Sequence, residues 1–142
     1  MTKFFGATFL IGALLAAFLF VSDGVQTNNP NENVNPTQLE TAINNKASLV
    51  IDIRTPDEWR EGVIAGSKLL EMDDILKGKT TLPKDKPIII YCRSGNRTGQ
   101  TLNILKNSGY NNISHLKNGI ISWAEEGKSI VKPDFETQLF AQ

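Results

Sequence analysis

One cysteine and one histidine are present in 142 residues, and both scarcities exclude something. A lone cysteine cannot close an internal disulfide, so the chain is not a small domain stapled by bridges. Together with a single histidine it supplies too few donors for a zinc site built from cysteine and histidine ligands. Charge of one sign is also missing: 15 basic residues balance 15 acidic ones. No global field favours nucleic acid or an anionic membrane surface, so any attraction for an anion must be local. Between Cys92 and Asn118 there is no acidic residue at all. The length suits one compact domain rather than two.

What is present begins with an apolar run. Lys3 is the sole charge before Asp23, and Phe4 to Val21 lies between them. A positive start, an apolar centre and small residues afterwards read as an export signal over residues 1–24. Left uncut, about 18 residues would also reach across a bilayer as an N-terminal anchor, making residues 4–21 the one candidate membrane tether. No Ala-x-Ala triplet follows the run. Either reading places the folded part outside the cytoplasm, and the bacterial style of the segment points to the periplasm or cell envelope. A free thiol there is open to oxidation unless it is buried or has a purpose. Residues 25–35 are polar with little to bury and read as a disordered linker, leaving residues 36–142 as the domain.

Asn35 is placed to cap a helix with Pro36 at its first position. The apolar run Ala47 to Ile53 has the character of a strand covered on both faces. Thr55-Pro56-Asp57-Glu58 is a capping box with proline at the first helical position, and Gly62 can stop that helix. Ala65 to Leu70 is a weaker strand and Asp73 to Lys77 a brief helix. Ile88 to Cys92 is the strongest strand. Thr98 to Ser108 is expected to be helical with Leu102 and Leu105 facing inward, followed by a strand over Asn112 to Leu116 and a helix over Ile120 to Glu126. Short apolar strands alternating with helices predict an α/β domain with a central parallel β-sheet and helices on both faces. Function in such sheets collects at the carboxyl ends of strands, where Cys92 sits.

The reactive form of cysteine is the thiolate, and an ordinary thiol, with a pKa near ~8.5, is mostly protonated at neutral pH. The segment after Cys92 is suited to the anion. The following helix points its positive end at the loop, successive backbone N–H groups in a tight turn can converge as an anion nest, and Arg93 and Arg97 add two positive charges. Gly95 allows the loop to curl closely around the sulfur.

Cys92-Arg93-Ser94-Gly95-Asn96-Arg97-Thr98 resembles the active-site loop of rhodanese-type sulfurtransferases. Leu49-Val50-Ile51-Asp52-Ile53-Arg54 with Glu58 and Trp59 is similar to that family's aspartate-x-arginine strand end. Gly62-Val63-Ile64-Ala65-Gly66-Ser67 resembles its following turn, with Val63 where histidine is common, and Gly119-Ile120-Ile121-Ser122-Trp123 with Gly127 its closing helix. The resemblance spans about residues 36 to 131. It implies a single rhodanese-like domain in which Cys92 is the catalytic residue. Cys92 accepts sulfur from thiosulfate or a similar sulfur anion as a persulfide, then yields it to cyanide or a thiol, in ping-pong order and without a metal or organic cofactor. Arg97 and Arg93 are expected to hold the donor's oxyanion end, and the N–H groups of residues 94–98, from Ser94 through Gly95, Asn96 and Arg97 to Thr98, to stabilise the persulfide. Asp52 and Arg54 stand either at the mouth of the site or in an ion pair tying the strand end to the next helix.

Two other functions share these residues. A persulfide relay handing sulfur to a protein partner needs the same loop. A cysteine-dependent phosphatase or arsenate reductase holds its oxyanion in a loop one residue longer between cysteine and arginine, and here Arg97 follows after four residues; the tighter ring suits a single sulfur atom. Trp59 and Trp123 are expected in the core, Glu125-Glu126 at a solvated helix end, and His115, alternating with its apolar neighbours, at a polar surface position.

Overall fold

A computed structural model describes residues 32–140; the apolar run 4–21 and the first part of the expected linker lie outside the described residues. Five strands form one parallel sheet in the order β1 (Asn33–Val34), β6 (Ile113–Leu116), β5 (Ile88–Tyr91), β2 (Leu49–Asp52) and β4 (Lys68–Leu69). The strand that leads into Cys92 is thus the middle one, with a neighbour on each side to fix its position.

Both faces are covered, which is why β5 reads Ile-Ile-Ile-Tyr without alternation. Ile88, Ile90 and Cys92 pack with Leu102 and Leu105 of α4 (Asn96–Asn107) and Ile75 of α3 (Met72–Leu76). Ile89 and Tyr91 turn the other way, onto Leu39 of α1 (Pro36–Asn44) and Ile120 and Trp123 of α5 (Gly119–Glu125). The expected helices on both faces are therefore present. Trp59 is buried as well, against Val63 and Leu69, and Glu125 and Glu126 are exposed.

Local signals set the helix starts. The Asn35 side chain accepts the Gln38 N–H at 2.8 Å while Gln38 returns the bond to the Asn35 N–H at 2.9 Å, which closes two of the amides a helix start leaves open. Thr55 and Glu58 do the same for α2 (Pro56–Glu61), which stops at Gly62.

Several elements differ from expectation. Asn33 and Val34, assigned from composition to the linker, form the edge strand β1: the His115 amide donates to Glu32 O at 2.8 Å and the Lys117 amide to Val34 O at 2.9 Å. Backbone pairing needs no apolar side chains, so composition does not reveal it. The strand expected over Ala65 to Leu70 contracts to β4, and Val63–Ile64 forms a separate strand, β3, paired antiparallel with β7 (Ile130–Val131). Helix α4 starts at Asn96, two residues before Thr98, because Gly95 at φ 92° turns the chain directly into it. Beyond β7, a short helix α6 (Phe135–Gln138) brings the chain back to the sheet, where the Phe140 amide donates to Leu69 O at 3.0 Å.

Candidate active site

Cys92 leaves the carboxyl end of β5 and points to the same face as Ile88 and Ile90, under the first turn of α4. The residue is 1% exposed, deeper than a loop position suggests, yet its sulfur has polar company. The Gly95 N–H donates to Cys92 Sγ at 3.1 Å, and the Thr98 hydroxyl lies 3.7 Å away. Of the amides expected around the sulfur, that of Gly95 makes the contact. Arg93, Ser94 and Asn96 are exposed above it, Gly95 and Arg97 are half-buried, and Thr98 is buried.

The loop is held from outside by α5. The Ile120 amide donates to Cys92 O at 2.9 Å and the Ile121 amide to Arg93 O at 3.2 Å. This approach requires glycine at position 119: at φ 62°, a Cβ there would lie 2.4 Å from Arg93 O and 2.5 Å from Cys92 O. The start of α5 thus acts as a clamp on the carbonyl side of the loop while the Gly95 amide faces the sulfur.

Arg97 projects from the first turn of α4 to Glu58 of α2. Its Nη1 donates to Glu58 Oε2 at 2.7 Å and its Nη2 to Oε1 at 2.6 Å. The guanidinium pulls the Glu58 carboxyl from 4.5 down to about 2, with the Thr55 amide helping. Arg97 in turn is held above its usual range, chiefly by Glu58 and in smaller part by Cys92. The sequence places Glu58 in the helix cap and in the family-like segment after Arg54 but not against Arg97; that partner is 39 positions away, and no local pattern encodes it. Among the described residues Arg93 has no ion pair. It lines a cleft of about 400 Å³ with Arg54, Glu58, Gly62, Ile120 and Ile121.

Asp52 and Arg54 form a buried ion pair, 0% and 4% exposed, at 2.7 Å. The Asp52 carboxylate accepts the Arg54 backbone N–H and Nε at 3.0 Å each, and Arg54 Nη2 also donates to Gly62 O at 2.6 Å. The pair ties the end of β2 to the end of α2, and Arg54 reaches the cleft wall beside Arg93. Of the two roles expected for these residues, the ion pair at the strand end is the one these contacts describe.

His115 departs from the surface position expected for it. It is half-buried, its Nδ1 lies 2.8 Å from Thr98 Oγ1, and its Nε2 lies 2.9 Å from Asn33 Oδ1. The signal was available in the register: His115 pairs with Ile90 across the parallel ladder, and in-register residues of neighbouring strands share a face, the one Cys92 also uses.

Taken together, the site offers a buried sulfur that accepts a backbone hydrogen bond, an exposed arginine next to it in sequence that has no ion pair among the described residues and lines the neighbouring cleft, and a second arginine fixed by a carboxylate. Such a sulfur can act as a nucleophile and carry a transferred group. The family model described as Rhodanese-like domain matches residues 35–126. A protein of Allochromatium vinosum named Sulfurtransferase is 42% identical over 86 residues, covering 61% of this chain and 80% of that one. The probable adenylyltransferase/sulfurtransferase MoeZ of Mycobacterium tuberculosis is 29% identical over 109 residues, 75% of this chain but 28% of its own length. Among solved structures, a rhodanese-related protein from Thermoplasma volcanium superposes with a TM-score of 0.64 at 32% identity, covering 71% of this chain and 98% of that one.

Proposed function

The chain belongs to the rhodanese-like domain family, whose activity is of sulfurtransferase type, and on that premise we propose that it transfers sulfane sulfur through a persulfide on Cys92, with thiosulfate or a similar anion as donor. The carrying observation is the Gly95 N–H on Cys92 Sγ at 3.1 Å: a backbone donor aimed at sulfur favours the thiolate and then the persulfide.

The Cys92 thiolate attacks the outer sulfur of thiosulfate. A bond forms between the two sulfurs, the bond inside thiosulfate breaks, and sulfite leaves with its electron pair. Cyanide or a thiolate then attacks the terminal sulfur of the persulfide, taking it as thiocyanate or as a new persulfide, and the Cys92 thiolate returns. Each step is an exchange at sulfur, and the two together are covalent catalysis with ping-pong kinetics.

Arg93, exposed and without an ion pair among the described residues, takes the donor's oxyanion end. Arg97, with both prongs on Glu58, contributes its charge from a fixed position. Because Cys92 is buried, the donor enters past Arg93, Ser94 and Asn96, which favours small, narrow donors. Export to the periplasm or envelope through residues 1–24 belongs to the same proposal and is supported by Lys3 and the apolar run after it.

Steady-state thiosulfate:cyanide assays on the full chain and on Cys92→Ser test the reading. Turnover with parallel double-reciprocal lines, lost in the variant, is the expected result. Turnover that survives in Cys92→Ser overturns it, and a persulfide that forms but does not turn over transfers the role to a sulfur relay.

A further inference from the structure

Cys92 is continued towards the exposed edge strand β1 by a row of polar groups that sulfur transfer as described does not use: Cys92 Sγ, Thr98 Oγ1, His115 Nδ1, then His115 Nε2 and Asn33 Oδ1, at successive separations of 3.7, 2.8 and 2.9 Å. We infer that His115, acting through the Thr98 hydroxyl, receives the thiol proton of Cys92 and is a positioning residue for the sulfur chemistry. The inference rests on Cys92 being the sulfur carrier.

A threonine hydroxyl has one proton to give, and Thr98 Oγ1 has three neighbours that could take it: His115 Nδ1, Cys92 Sγ and Gly95 O, the last at 3.0 Å. Asn33 lets His115 compete with Gly95 O for it. Its Oδ1 accepts the Nε2–H of a neutral imidazole, which leaves Nδ1 with a lone pair and makes it an acceptor for the Thr98 proton. The hydroxyl then turns lone pairs towards the sulfur and can accept from S–H.

Transfer is a concerted shift. The Thr98 proton moves onto Nδ1 as the cysteine proton moves onto Oγ1. The S–H bond and the original O–H bond break, a new O–H and an N–H form, and nothing is oxidised or reduced. The products are a thiolate, an intact threonine hydroxyl and an imidazolium whose Nε2–H stays on Asn33. Throughout, the Gly95 N–H remains on the sulfur.

The charged surroundings permit this. Burial holds His115 below its ordinary pKa, with Glu32 opposing, which favours the neutral imidazole from which the shift starts. Glu32, at the start of β1, is ion-paired with Lys106 of α4, and Arg97 of α4 is engaged by Glu58. Lys117 follows β6, and Cys92 itself is the remaining titratable group facing the row from β5.

The chain contains one histidine and one cysteine, so both ends can be followed without ambiguity in the untagged full chain. Imidazole ¹⁵N shifts across pH should show the Nε2–H tautomer when neutral, and the His115 midpoint should fall by about half a pH unit in Cys92→Ser and in Thr98→Val, as coupled sites require. Alkylation of Cys92 by iodoacetamide at pH 6.5 should slow about fivefold in Thr98→Val and His115→Gln, with the rate restored in Thr98→Ser. A His115 midpoint identical in the native chain, Cys92→Ser and Thr98→Val, or a dominant Nδ1–H tautomer, overturns the inference. If His115→Gln does not fold, the native and Thr98 chains decide the question. None of these readouts uses a sulfur donor, so failure of the persulfide reading would show elsewhere.

Discussion

Glu58 binds Arg97 through both carboxylate oxygens, at 2.6 and 2.7 Å, while its Oε2 also accepts the Thr55 N–H at 3.1 Å. One side chain therefore closes the start of α2 and fixes the first turn of α4 beside Cys92. The helix cap read in the sequence and the contact with Arg97 that the structure adds are made by the same carboxylate.

That coupling predicts an acid sensitivity. Glu58 is lowered from 4.5 to about 2 in the folded chain, so its contribution is complete above pH 4.5 and is lost as pH falls toward 2. Partial exposure of the pair keeps its worth on the order of 1 kcal/mol. Urea unfolding at pH 6 and pH 3 should show the native chain losing roughly half that amount more than Glu58→Gln, which keeps a cap acceptor but no charge. Equal losses would remove Glu58 from the account.

Arg54 is the partner that makes the burial of Asp52 tolerable. Arg54→Ala leaves an uncompensated carboxylate in the interior and should cost about 3–5 kcal/mol, the range for breaking a buried pair. Denaturant midpoints measure it. A cost under 1 kcal/mol would mean that water or another donor replaces the guanidinium.

Gly119 should be intolerant of the smallest change. Gly119→Ala places a methyl within 2.5 Å of the Cys92 and Arg93 carbonyls at φ 62°, so either α5 or the loop must move, with at least about 2 kcal/mol of destabilisation. Sulfur transfer should fall more than tenfold even where the fold survives. Gly127→Ala, with nothing within 4 Å of its added carbon, is the control for positive φ alone.

The two arginines are expected to separate kinetically. Arg93→Ala should raise KM for thiosulfate several-fold at little cost in stability, since its side chain holds no ion pair among the described residues. Arg97→Ala should lower stability as well, because Glu58 loses its partner. Steady-state kinetics beside thermal melts distinguish the two patterns, and an unchanged KM in Arg93→Ala would remove that residue from donor binding.

What could be read ahead of the structure was mostly local or periodic. The cap at Asn35 and the capping box at Thr55 each lie within four residues of sequence, and the unbroken run Ile88 to Tyr91 announces a strand covered on both faces. The loop's composition, with Gly95 and two arginines beside the one cysteine, makes Cys92 the candidate nucleophile. What escaped depends on distance. Glu58 meets Arg97 across 39 positions, Asn33 meets His115 across 82, and β1 is held by backbone bonds that polar residues make as well as apolar ones. His115 was misplaced for a related reason: a polar residue in a strand looks outward until the neighbouring helix supplies a hydroxyl.

If Cys92 receives and releases one sulfur atom, intact-mass measurement of the full chain after incubation with thiosulfate should register it. The expected gain equals one sulfur atom, absent in Cys92→Ser and removed by cyanide; an unchanged mass in a folded, reduced chain, or a gain that persists in Cys92→Ser, would refute sulfur transfer through Cys92.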